Sequence, residues 1–107
     1  MMAPFKIDPA HFLEPWCAFD KDFSIQLHRE LSADHVLYGA VVRTIAHRED
    51  NDDVLFEVTD REYQFAKVHL TWQGMQPDAR WPRTTFYKDW NEVYENVIIP
   101  DHTEYIS

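Results

Sequence analysis

At 107 residues the chain has room for one core, and nineteen Asp and Glu against ten Lys and Arg give a formal net charge of −9. That balance excludes a binder of nucleic acid or of an anionic membrane, because a phosphate surface repels such a domain before contact. Four Trp, five Tyr and seven Phe exclude disorder despite the charge, and the single cysteine, Cys17, excludes an internal disulfide and reads as a small buried thiol.

Residues 1–18 are expected to form an extended lead-in to a single domain of residues 19–107, because Pro4, Pro9 and Pro15 disfavour a long helix there. Phe5, Phe12, Leu13 and Trp16 would pack that lead-in onto the domain. The start has no basic segment followed by an apolar core, and no run of about eighteen apolar residues occurs, so a cytoplasmic protein is expected. From Asp20 to Leu31 the apolar residues Phe19, Phe23, Leu27 and Leu31 recur every four positions. They predict a helix of about three turns with Asp20 or Asp22 as its N-cap.

Val36 to Ala46 is apolar on both alternating faces and rich in β-branched residues, which predicts a strand covered on both sides. Gly39 within it suggests a bulge or a close approach. The polar cluster His47 to Asp53 turns the chain. Val54 to Val58 predicts a second strand with Val54, Phe56 and Val58 inward, and Asp60 to Glu62 turns it again. Phe65 to Trp72 alternates, with Ala66, Val68, Leu70 and Trp72 on one face and Phe65, Lys67, His69 and Thr71 on the other.

Gln73 to Arg83 reads as a loop. Trp90, Val93, Tyr94 and Val97 then mark a second helix, roughly Lys88 to Ile98, stopped by Pro100. The expected fold is α+β: helix, three-stranded antiparallel meander, helix, with both helices on one face of the sheet.

Leu37-Tyr38-Gly39, Arg48-Glu49-Asp50-Asn51-Asp52-Asp53-Val54-Leu55-Phe56, Val68-His69-Leu70-Thr71-Trp72 and Trp81-Pro82 form a pattern that resembles a set of short single-domain bacterial proteins of unknown function. The likeness covers about residues 25–102. The resemblance implies a free-standing bacterial domain and brings no activity, cofactor or catalytic residue.

The densest charge is the turn Glu49-Asp50-Asn51-Asp52-Asp53. A helix-loop-helix calcium loop needs Gly at position 6 and Glu at position 12; counted from Asp50 those are Leu55 and Arg61, so the turn is not such a loop. Six histidines, at 11, 28, 35, 47, 69 and 102, show neither His-x-His nor His-Glu-x-x-His spacing. In a meander, His47 and His69 would lie near Glu57, and those three are the alternative metal or hydrolase centre, with His69 the best general base. Ser24, Ser32 and Ser107 lack a nucleophile elbow, and no Gly-rich phosphate loop is present. The element order is shared with double-stranded RNA binding domains, but the second helix is acidic where those are basic.

Tyr63, Phe65, Trp81, Phe86 and Tyr87 either fill the core or form an exposed anchor set rimmed by carboxylates. The expected function is a small acidic binding protein that occupies a basic protein surface, most concretely an immunity or antitoxin-like inhibitor of a toxin, needing no cofactor. Its expected contacts are Glu49, Asp50, Asp52 and Asp53, with Asp60, Glu62 and Trp81. The alternatives are the His47, Glu57, His69 enzyme, and a self-assembling adaptor that uses the sheet face carrying Phe65 and Lys67.

Overall fold

Among the described residues, five stretches pair in the order in which the chain supplies them: β1 (Trp16–Ala18), β2 (Val42–Arg48), β3 (Asp53–Val58), β4 (Phe65–His69) and β5 (Arg83–Tyr87). The computed structural model describes residues 12–18 and 21–107, so the cap expected of Asp20 and the packing of Phe5 and Phe19 lie outside the described residues. Every pairing is antiparallel. The α+β class holds, but the expected three-stranded meander is only the middle of a five-stranded one. β1 is 3 residues long, too short to show alternation, and lies within the stretch read as a lead-in. β5 follows Pro82 directly, where the proline suggests a loop.

The helices also lie on opposite faces rather than on one. Val54, Phe56 and Val58 of β3 and Ala66 and Val68 of β4 join Leu27 of α1 (Ser24–Glu30) and Leu31, which caps its C-terminus, in one core. Leu55 and Phe65 project to the other side and join Trp16, Val93, Val97 and Ile98 in a second core. Both faces of the central strands are apolar, so each needs a cover. At the middle of β2 the register shifts between Thr44 and Ala46: Thr44 opposes Phe56 and Ala46 opposes Leu55. The extra residue lets Ile45 and Ala46 both enter the second core, as a β-bulge does.

The second cover is a long C-terminal helix in three parts: α2 (Trp90–Val93), a π-helical segment (Tyr94–Ile98) and α3 (Ile99–Ile106). Asp89 caps it, its side chain accepting from the Glu92 N–H at 2.9 Å. Pro100 does not stop this helix. A proline has no N–H to give and its ring collides with the carbonyl four residues back. Here the wide π turn comes first, with the Ile99 N–H bonded to the Tyr94 carbonyl, so Pro100 sits in the first turn of α3, where a missing N–H costs little. Among the described residues, no helix is long and apolar enough to cross a membrane.

Residues 36–40, expected as the start of a strand, instead continue the successive turns that begin after Leu31. His35 is buried and organises them. Its Nδ1 accepts from the Leu37 N–H at 3.0 Å, so the ring proton sits on Nε2, which donates to the Pro82 carbonyl at 3.0 Å. Gly39 closes the last turn at φ 75°, and a Cβ there would meet nothing within 4 Å. It serves the left-handed backbone rather than a bulge or a close approach. Gly39→Ala is expected to cost about 1 kcal/mol, read as a lower midpoint in denaturant titration.

Candidate functional site

The acidic turn between β2 and β3 is wet but internally tied. Arg48 forks onto Asp50 through Nε and a terminal nitrogen, each at 2.8 Å, and holds that carboxyl below the usual carboxylate range. Asn51 Oδ1 accepts the Asp53 N–H at 2.8 Å, a local turn bond of the kind Asn favours. Glu49 and Asp52 are exposed. Asp52 Oδ1 accepts from the indole N–H of Trp72 at 2.9 Å, which ties the turn to the segment beyond β4.

Trp72 is the unexpected member. Continuing the alternation of β4 would bury it with Ala66, Val68 and Leu70, yet it is 50% exposed. Its φ of 61° lies in the left-handed region, which is rare for a bulky residue and costs on the order of 1–3 kcal/mol. Glu30, fully buried at the end of α1, holds it there. One carboxylate oxygen accepts the Thr71 N–H and hydroxyl, both at 2.8 Å; the other accepts the Trp72 N–H at 2.9 Å and the Gln26 amide at 2.7 Å. Four donors on one buried carboxylate form a rigid clamp. The indole also packs edge-on against Phe23, with ring centroids 5.8 Å apart.

Glu30 is not among the site residues expected from the sequence, although its signal is present there. It lies three residues after Leu27 and beside Leu31, on the buried side of an amphipathic helix, and a carboxylate there needs donors.

The second acidic turn lies at the other end of β3. Asp60 accepts the Val41 N–H at 3.0 Å and pairs with Arg61 at 2.7 Å, while Glu62 is exposed. The two turns therefore do not form one surface. Trp81 belongs to neither: it is half-buried, with the Arg83 guanidinium 5.0 Å from its ring centroid.

The sheet does not bring His47, Glu57 and His69 together. His47 opposes Val54 and packs on Phe23, on the α1 face. Glu57 pairs with Arg43 at 2.8 Å. His69 opposes Asp53, four residues and roughly 13 Å along β3 from Glu57. Among the described residues, no group of three or more His, Cys, Asp or Glu is placed to hold a metal. Phe65, assigned to an open sheet face in the self-assembly reading, is buried in the core that the C-terminal helix closes.

His69 instead bonds to Asp53, Nδ1 to Oδ1 at 2.8 Å, and the pair stands in a cleft with Lys67, Trp81, Arg83 and Thr85. No protein family, curated protein or solved structure gives a match to this chain.

Proposed function

We propose that the protein is a binding protein that docks on a basic protein surface through the acidic turn 49–53, with Trp72 as the anchor. The observation that supports this most is the half-exposed indole held in an unfavourable backbone conformation by a buried carboxylate and tied to Asp52. An aromatic side chain fixed in advance loses little freedom on binding, and such residues dominate interface energetics. The carboxylates around it steer a basic partner and set its orientation. The most concrete form of this role is a plug for the basic cleft of a toxin, as an immunity or antitoxin protein would be. In this arrangement Trp72 takes the anchor role expected of Trp81.

Affinity capture from the native host tests the reading, with wild type, Trp72→Ala and Asp52→Lys as parallel baits. A basic protein should be retained by wild type, with Trp72→Ala weakening the purified pair about thirtyfold. Asp52→Lys should slow association more than it speeds dissociation, and the association rate should fall as salt shortens the Debye length below about 10 Å. Retention that is insensitive to both salt and Trp72 would remove this reading.

A further inference from the structure

At its far end, the sheet face that the C-terminal helix covers opens to solvent. Phe65 is buried in the core on that face, but Lys67 and His69 follow it at two-residue steps and lie progressively more open. Next to them on β5, Thr85 opposes Lys67 and Arg83 opposes His69. These side chains, with Asp53 and Trp81, line a cleft of ≈ 410 Å³. That size falls within the range of small-molecule sites.

The charge of this cleft runs against the molecule. The chain carries a net −9, yet among the described residues neither Lys67 nor Arg83 has a carboxylate within ion-pair distance. The carboxylate in the cleft, Asp53, is engaged by the His69 Nδ1–H at 2.8 Å. Arg83 lies over the Trp81 ring, a contact that orients its planar fork. A point charge, a fork, a hydroxyl and an imidazole therefore meet in one concavity beside an indole.

We propose that this cleft binds a small phosphomonoester. Lys67, Arg83 and Thr85 hold the terminal oxygens beside the His69–Asp53 pair, and Trp81 flanks the organic part. A carboxylate has two coplanar oxygens and satisfies one fork, whereas the three terminal oxygens of a phosphomonoester use donors arriving from separate strand positions. A polyanion is a poor occupant, because the acidic exterior repels it over its length. A small dianion meets only the local field of the cleft.

NMR titration of the intact protein with phenyl phosphate, inorganic phosphate and benzoate tests this. Phenyl phosphate should give saturable shifts at the Trp81 indole N–H and at the Lys67, His69 and Thr85 amides. Inorganic phosphate should bind the same place more weakly, and benzoate about tenfold more weakly than phenyl phosphate. Lys67→Met and Arg83→Met should each reduce phenyl phosphate affinity about tenfold while leaving the melting temperature unchanged. Absence of saturable shifts, equal binding of benzoate, or undiminished binding by a variant that combines Lys67→Met with Arg83→Met would overturn the proposal. Co-flotation with vesicles containing phosphatidic acid, set against vesicles of neutral lipid, separates a lipid headgroup from a free phosphomonoester, and flotation there would overturn the small-molecule source. Trp72 lies outside this cleft, so Trp72→Ala should leave phenyl phosphate binding intact whether or not the protein-docking reading stands.

Discussion

Glu30→Ala is expected to lower the unfolding free energy by about 3 kcal/mol, a large part of the roughly 5–15 kcal/mol that holds a domain of this size together. The carboxylate is 0% exposed and accepts from Thr71 twice, from Trp72 and from Gln26. The Gln26 amide and the Thr71 hydroxyl can turn toward water when it is removed. The Thr71 and Trp72 N–H groups are fixed by the chain and lose their acceptor outright. Glu30→Gln keeps one oxygen but sets an NH₂ against donors, so an intermediate loss of about 1–2 kcal/mol is expected. Urea titration followed by tryptophan fluorescence measures both. A wild-type midpoint for Glu30→Ala would show that the clamp does not hold the segment.

Trp16→Ala is expected to cost about 3–5 kcal/mol, more than the same change at the half-buried Trp90. Trp16 is 2% exposed, and its indole N–H donates to Asp101 on α3 at 2.8 Å. Arg48 reaches the same carboxylate at 3.4 Å. Truncation leaves a cavity between the sheet and the C-terminal helix and removes one of the donors to Asp101. Trp90 packs on Phe12, Phe65 and Tyr94 but keeps part of its surface in water, so it has less to lose. At roughly 4–8 °C per kcal/mol for a chain near this length, thermal melts of Trp16→Ala and Trp90→Ala should separate clearly. The reverse order would mean that Trp90, not Trp16, is the main anchor of the helix.

Period-two patterning makes the middle of the sheet legible, because Val54, Phe56 and Val58 alternate with Leu55 and Glu57 over a full strand. It fails at the margins for physical reasons. Trp16–Ala18 is shorter than the period needs, and Arg83–Tyr87 exposes Arg83 and Thr85 on one side where the cleft stays open. The apolar run from Val36 looks continuous, but the buried His35 ring takes up the Leu37 N–H and folds residues before Val42 into turns. Pro100 reads as a stop because a regular α-helix cannot carry it, whereas a π segment placed just before it can.

The candidate site was legible as charge and not as geometry. The acidic turn stands out in composition, yet Trp72 fits the inward series of β4 until the left-handed residue turns it out. β4 misleads in the same way on its other side. Phe65, Lys67 and His69 share one face, but a helix closes over the first and leaves the others to the cleft.

The ends of the sheet bear on how the protein behaves in a crowd. Among the described residues β1 and β5 are the outer strands: β1 offers a newcomer 3 residues, and β5 begins immediately after Pro82. Proline withholds a donor, and Arg83 and Lys88 bracket β5 with charge. Short, proline-headed and charged edges are poor templates for an incoming strand. With like molecules also repelling one another at a net −9, growth of the sheet from one molecule into the next is discouraged at both rims. The exposed Trp72 can therefore stand in solvent on a molecule whose backbone offers little for its neighbours to extend.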